Sequence, residues 1–389
     1  MEIPLKYGFN PNQSVARVIV DEPVSPLRLL NGNPGAINML DALGAWQLVQ
    51  ELKDATGLPA AASFKHVSPA GTAVAGSLPE SFRKSQMIPE TDLSPLATAY
   101  ARARGADRMS SFGDCAALSD EADVDVAKLL AREVSDAIIA PGYDSEALDI
   151  LKQKKGGNYV ILEIDPSYEP PDMESRDLFG FTLEQTRNKA KVTPELLENI
   201  VSDNTELPEE AAQSLIVATV ALKYTQSNSV CIAYQGQVIG MGAGQQSRVH
   251  CTRLACDKAD KWMLQQHPRV LALPYDEGAG RPEKTNVVDS FLLWDKLSEP
   301  EKDAALSHLI AEPKPLSEQE RSDWMKEFEG TVMSSDAFFP FRDSIDRAAR
   351  SNIQYVMQPG GATRDELVTE AANEYGMVMI HSGMRWFLH

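Results

Sequence analysis

Lys65 and His66 stand side by side in the stretch AASFKHVSPAG, residues 61–71. An imidazole passes protons near neutral pH. An ammonium beside it can stabilise an oxyanion and lower the fraction of protonated imidazole. The pairing suits a reaction in which one atom loses a proton while its neighbour gains negative charge. In an ideal strand adjacent side chains point to opposite faces, so the two groups can serve one small ligand only if the backbone turns there. Pro69 and Gly71 follow closely and are consistent with such a turn. The alternative is a solvated loop carrying two exposed basic groups.

Three other stretches have chemical content. GAGQQSRVH, 242–250, follows a predicted strand and opens a predicted helix. Backbone N–H groups at a helix N-terminus attract anions, and Arg248 adds a full charge. The stretch lacks the complete dinucleotide-binding glycine pattern, so a plain tight turn is the competing reading. SSDAFFPFRD, 334–343, sets three phenylalanines beside a proline, an arginine and two aspartates. Such rings either sandwich a flat ligand or form core beneath a loop. KYTQSNSV, 223–230, offers short polar groups that could bond a ligand, hold a cation through carbonyls, or cap a helix. His250, Cys251 and Cys256 do not make a zinc site: the cysteines, five apart, fall on different helix faces, and no fourth ligand is apparent.

The elements that must position these groups follow from periodicity. Ile37, Leu40, Leu43, Trp46, Leu48, Val49 and Leu52 predict a helix over 35–56, stopped by Gly57 and Pro59. A buried strand then ends at Lys65, and Ser68-Pro69 is read as the start of a helix. Ser94-Pro95 opens another helix that ends at Gly105. Helix 119–133, strand 136–140, helix 144–154 and strand 159–164 follow. Residues 165–205, rich in Pro, Glu and Asp, read as a connection. Helix 208–223 leads to a hairpin turning at Gln235-Gly236 and a helix from about Ser247, and 298–330 reads as charged, helical and peripheral. The alternation predicts a layered α/β fold with largely parallel pairing. A weak likeness between 99–114 and 345–361 hints at two related subdomains.

The 389 residues suit two or three units, and 43% hydrophobic content supports a large core. A net charge of −19 argues against whole-surface binding to nucleic acid or anionic membrane. No disulfide framework, secretory signal or membrane-length apolar run is visible, so a soluble, reducing, cytoplasmic setting is expected.

Taken in order, LKYGFNPNQ, LNGNPGAINMLDALGAWQLV, AASFKHVSPAG, ARARGADRMSSFGD, REVSDAIIAPGY, KYTQSNSV, GAGQQSRVHCTRLA, SSDAFFPFRD and MRWFLH resemble the transformylase part of the AICAR transformylase/IMP cyclohydrolase family. The resemblance runs from residue 5 to the C-terminus. It implies formyl transfer from 10-formyltetrahydrofolate to the 5-amino group of AICAR ribotide, giving FAICAR in purine biosynthesis. It implies catalytic roles for Lys65, His66 and Asn228. For the nucleotide it implies Lys6, Tyr7, Asn38, Gly113, Asp136, Arg248, Phe338 and Arg385. For the folate it implies Met109, Val249, Pro340, Phe341, Asp343, Ala362 and Thr363. A structural potassium ion near Leu222, Thr225, Ser227, Ser229 and Asp336 is also implied, and no zinc.

The implied fold is two cytidine-deaminase-like three-layer α/β subdomains, 1–171 with 266–328 and 172–265 with 329–389, in an intertwined homodimer with shared active sites. The sequence departs from the family in two ways. Lys6 stands where the family usually has Arg, which keeps the charge but loses the bidentate fork. The family's cyclohydrolase domain has no counterpart in the chain, so ring closure is expected of a separate IMP cyclohydrolase or of a part cut away. Two other readings are formylation driven by formate and ATP, against which no Walker-type loop is seen, and a nucleotide-binding regulator without turnover.

Overall fold

A computed structural model describes residues 2–20 and 25–389. A small ribbon of β1 (Glu2–Pro4) and β2 (Arg17–Ile19) precedes β3 (Leu27–Asn31) and helix α1 (Ala36–Thr56). The predicted apolar stripe of α1 buries Trp46, Leu48, Val49 and Leu52, and the helix ends at Gly57 with φ 68°. Strands β4 (Ala60–Lys65) and β5 (Ser68–Val74) form a hairpin. Helices α2 (Glu80–Ser85) and α3 (Pro95–Arg104) follow; Ser94 caps α3 by accepting the Ala97 N–H at 3.0 Å. Then come β6 (Asp114–Leu118), α4 (Val124–Ala131), β7 (Ser135–Ala140), α5 (Ser145–Gln153) and β8 (Val160–Ile164).

Strands β9 (Met173–Leu178) and β10 (Phe181–Thr186) make a separate exposed hairpin. The second half contains α6 (Glu209–Lys223), β11 (Val230–Tyr234), β12 (Gln237–Gly242) and α7 (Arg248–Leu264). Four helices intervene: α8 (Pro268–Leu271), α9 (Arg281–Leu292), α10 (Glu299–Leu306) and α11 (Glu318–Met325). The chain closes with β13 (Val332–Ser335), α12 (Asp343–Arg350), β14 (Tyr355–Gln358), α13 (Asp365–Glu374) and β15 (Val378–His381).

Eleven strands form one sheet in the order β15-β14-β13-β11-β12-β5-β4-β6-β7-β8-β3. Helices cover both faces, because successive residues of a strand serve opposite sides. Along β4, Ala60, Ala62 and Phe64 pack with α1 and α6, whereas Ala61 packs with α3. The two halves of the sheet repeat one plan. Helix α1, hairpin β4–β5, α3, β6, α4, β7, α5 and β8 correspond in order to α6, β11–β12, α7, β13, α12, β14, α13 and β15. In each half the strand after the hairpin runs antiparallel to the hairpin's first strand, and two parallel strands follow. The halves join where β5 meets β12, at Ala73 and Gln237.

Three expectations need correction. The pairing is mixed, with six of the ten neighbouring pairs in the large sheet antiparallel, because each half begins with a hairpin. Ser68-Pro69 begins a strand, not a helix; Pro69 lies opposite Phe64 beside a bulge, where a missing N–H is tolerated. The repeat exists, but the likeness between 99–114 and 345–361 is one unit out of step: α3–β6 corresponds to α7–β13, and α12–β14 to α4–β7. Helices α8 to α11 occupy the place that the short 105–113 loop fills in the first half, and Val270, Val287, Phe291 and Leu316 give them a small core of their own. No helix among the described residues is long and apolar enough to cross a membrane.

Candidate active site

The hairpin β4–β5 turns through only two residues, since Lys65 pairs with Ser68. Both turn residues are left-handed, His66 at φ 53° and Val67 at φ 62°. That is the geometry of a type I′ turn, which normally recruits Asn-Gly. A β-branched residue at positive φ is a conformational outlier costing on the order of 1–3 kcal/mol, so the surroundings must hold it. Asp41, on α1, does so: its Oδ1 accepts the Val67 N–H at 2.7 Å. Burial raises the Asp41 carboxyl above the ordinary range, and the Val67 N–H and the His66 charge partly oppose that rise.

Lys65 is half-buried and its Nζ donates to the carbonyl of Phe112. His66 is exposed. Both side chains line one cleft of about 490 Å3 with Ser68, Pro69, Ala70, Ser110, Gln226, Gly244 and Lys258. The turn therefore brings chain neighbours to one space, as a shared ligand requires. A second cleft, of about 270 Å3, shares Ser110 and Lys258 with the first and contains Met109.

The first group of predicted site residues surrounds this turn. Asn38 lies in the first turn of α1, three residues before Asp41, and its Oδ1 accepts the Gly35 N–H at 2.9 Å. The Lys6 N–H donates to Pro34 O at 3.1 Å, and the Lys6 ammonium lies 5.8 Å from the Tyr7 ring centre. Lys6 is exposed. Gly113 follows the carbonyl that Lys65 grips; its φ is 75°, and a Cβ there would sit 3.4 Å from Asp136 Oδ2. Asp136 is ion-paired with Lys155. Behind this loop Ser63 Oγ lies 2.6 Å from Asp114 Oδ2, and Arg104 Nη1 lies 2.9 Å from Asp114 Oδ1, so its base is a buried polar network.

The second group gathers on the other half. Asn228 is held at both ends of its amide: Nδ2 donates to Gln245 O at 2.7 Å, and Oδ1 accepts from Arg248 Nη2 at 2.8 Å. Arg248 is buried, donates to Ser229 O at 2.8 Å and pairs with Asp336. The Arg248 charge at the glycine-rich loop is engaged within the fold: it holds Asn228 Oδ1 and reaches Asp336, just past the end of β13. Asp336 Oδ2 also accepts from Ser227 Oγ at 2.6 Å and the Ser229 N–H at 3.0 Å. The chain end closes over it, with the Trp386 N–H donating to Asp336 O at 2.9 Å.

Two phenylalanines of the 334–343 stretch reach solvent, Phe338 at 44% and Phe341 at 47% exposure, while Phe339 is core. Arg364 lies 4.8 Å from the Phe341 ring centre, bringing Ala362 and Thr363 near Pro340 and Phe341. Asp343 starts α12, and its neighbour Ser344 meets Thr252, one turn after Val249, at 3.2 Å. Arg385 is exposed over Phe387. Neither cleft beside Lys65 and His66 contains Asn228, Arg248, Phe338, Phe341 or Arg385.

Asp41, Ser110, Gln226 and Lys258 were not singled out in the sequence. Asp41 had one usable signal, its place three residues after Asn38 on the same helix face. The four cysteines are buried and unpaired, and burial pushes the thiols of Cys251 and Cys256 up to about 12, which makes them inert near neutral pH.

Residues 1–258 match the model of a family described as AICARFT/IMPCHase bienzyme. The chain belongs to the AICARFT/IMPCHase bienzyme family. Among its relatives is a protein of Magnetococcus marinus named bifunctional purine biosynthesis protein PurH, 32% identical over 99% of this chain and 59% of that protein. A second, of the same name, comes from Roseobacter denitrificans and is 31% identical over the same shares. The chain thus spans about 59% of the length of these curated relatives. The AICARFT/IMPCHase match covers the Lys65-His66 turn, Asp136, Asn228 and Arg248, and ends inside α7.

Proposed function

We propose that this chain is the folate-dependent AICAR formyltransferase of purine biosynthesis, moving formyl from 10-formyltetrahydrofolate to the 5-amino group of AICAR ribotide. The observation that carries the reading is the Lys65-His66 turn, two opposed chemistries held by a strained backbone in one cleft of a chain of this family.

The accepting amine is conjugated with an imidazole and a carboxamide and is a weak nucleophile. In the proposed reaction its nitrogen attacks the formyl carbon while His66 removes its proton. The formyl oxygen becomes an alkoxide, which the Lys65 ammonium stabilises. Collapse breaks the bond to N10 of the folate, and a proton from the Lys65-His66 pair completes that nitrogen. Asn228 orients the reacting groups, its amide fixed by Arg248 and Gln245. Lys6 and Tyr7 meet the phosphate; Asn38, Gly113 and Asp136 meet the rest of the nucleotide. Phe338, Arg248 and Arg385 also serve the nucleotide, and Met109, Val249, Pro340, Phe341, Asp343, Ala362 and Thr363 the folate.

The proposal includes the two deaminase-like units, 1–171 with 266–328 and 172–265 with 329–389, and a homodimer with shared sites. The repeated order of elements supports the first, and the placing of Asn228 and the exposed phenylalanines outside the cleft of His66 supports the second. Potassium near Leu222, Thr225, Ser227, Ser229 and Asp336 belongs to the same reading. Ser229 Oγ is buried without a hydrogen-bond partner, and Thr225 Oγ1, which donates to Ala221 O at 2.7 Å, keeps lone pairs free. Both suit a cation held by hydroxyl and carbonyl oxygens.

The test is formylation with 10-formyltetrahydrofolate and AICAR ribotide alone. FAICAR should form without ATP or formate. A requirement for both would favour the formate-driven reaction, and tight AICAR ribotide binding without product would favour a regulator.

A further inference from the structure

Behind the 105–113 loop, away from the cleft of Lys65 and His66, lies a chamber of about 20 Å3 lined by Gln86, Tyr100, Arg104, Arg108, Glu133 and Arg281, among others. Tyr100 is 0%, Gln86 1% and Arg104 3% exposed. Such polar groups are almost always hydrogen-bonded when buried. Here Gln86 Oε1 and Nε and Nη1 of Arg281 have no partner, and the Tyr100 hydroxyl has only the Arg104 guanidinium beside it. Arg104 Nε and Nη1 face Glu133 and Asp114 at 3.3 and 2.9 Å, but neither has hydrogen-bond alignment.

Both terminal nitrogens of Arg108 are engaged. It forks onto Glu133 at 2.7 and 2.8 Å and donates to Gln86 O at 3.1 Å. Arg281 uses only Nη2, toward Met87 O at 2.7 Å and Glu133 at 3.2 Å. Three guanidinium charges thus meet two carboxylates, Glu133 and Asp114, and the Lys154 ammonium on Glu133 O adds a further cation, so positive charge is in excess. The free groups are mostly donors. Tyr100 lies against Arg104, which has donors only, so the hydroxyl hydrogen gains no acceptor from it.

We propose that this chamber binds one small monovalent anion of chloride size, held by Arg281 Nε and Nη1, the Arg104 guanidinium and the Tyr100 hydroxyl. The volume holds about one water-sized particle and is too small for phosphate or a carboxylate ligand. A water fits less well. It can donate to Gln86 Oε1 and to the Tyr100 oxygen, but it leaves the charge excess uncompensated. The anion ties α3, the turn after α2 and the start of α9 together. It also steadies Arg104, whose partner Asp114 adjoins Gly113. The inference is independent of the proposed formyl transfer.

The test uses the whole chain. Thermal melts are recorded as chloride replaces gluconate at constant ionic strength. The wild type should show a saturable rise on the order of 2–3 °C, the response of a ligand binding only the folded state. Arg281→Met should lose that response, and Tyr100→Phe should weaken it. Crystals grown in bromide should show an anomalous peak between Arg281, Arg104 and Tyr100. A wild-type melt indifferent to halide, or a bromide-grown crystal with water and no anomalous signal at that place, would overturn the proposal.

Discussion

Asp41 Oδ1 accepts the backbone N–H of Val67 at 2.7 Å, tying the first turns of α1 to the hairpin that presents His66. The bond satisfies a donor in a turn that the residue types do not favour. It also sets a buried carboxylate beside the imidazole, with Asp41 4% exposed.

Because the folded Asp41 carboxyl is raised above the unfolded value, the folded state holds its proton more tightly. The stability Asp41 confers is therefore greatest in acid and falls as pH rises from about 4 toward the folded value. Asp41→Asn has no such titration. Paired melts from pH 4 to 7 should show the wild type losing stability relative to Asp41→Asn as pH rises. Parallel curves would refute the raised carboxyl. Turnover of Asp41→Asn should fall by about tenfold or more, since the charge beside His66 is gone.

In the proposed nucleotide site Lys6 offers a point charge where a guanidinium would fork onto phosphate. Lys6→Ala should raise the KM for AICAR ribotide more than it lowers kcat, and Lys6→Arg should lower that KM. Steady-state kinetics decide; an unchanged KM in both variants removes Lys6 from the phosphate site.

Arg248 and Asp336 form a buried pair that also carries Asn228, Ser227 and Ser229. Asp336→Ala leaves the buried guanidinium without its counter-charge and the Ser229 N–H without its acceptor. Chemical denaturation should show a loss of about 3–5 kcal/mol, the range for breaking a buried pair. A loss within about 0.5 kcal/mol, typical of surface changes, would mean the pair does not hold this half together.

If active sites are shared across a dimer, His66 and Asn228 acting together come from different chains. Inactive His66→Ala and Asn228→Ala proteins, unfolded together and refolded, should regain about a quarter of wild-type activity, because half the dimers carry one intact site. No recovery would place both residues of a site in one chain.

Much of the α/β order was legible because apolar periodicity is local. The limits of α5, α6 and β8 fall within about two residues of the expected ones, the usual scatter at element ends. A turn at Lys65-His66 was consistent with the Pro and Gly beyond it, but both of those lie in β5 and the turn itself is His66-Val67. The strand role of Ser68-Pro69 was not readable, because only pairing with β4 decides it. Hairpin β9–β10 was hidden in a polar connection, although Phe179-Gly180, both at positive φ, is its turn. The partner of Arg248 is 88 residues away, and no local pattern links the two. The out-of-step repeat shows the same limit: similar helix–strand units cannot be matched until the sheet order is known.

The most direct measurement is His66→Ala assayed for FAICAR formation, with AICAR ribotide binding followed by calorimetry. Loss of one proton-transfer group predicts a kcat reduced by about 10²–10⁴ with nucleotide affinity changed less than about threefold. Wild-type turnover in that variant would contradict the account.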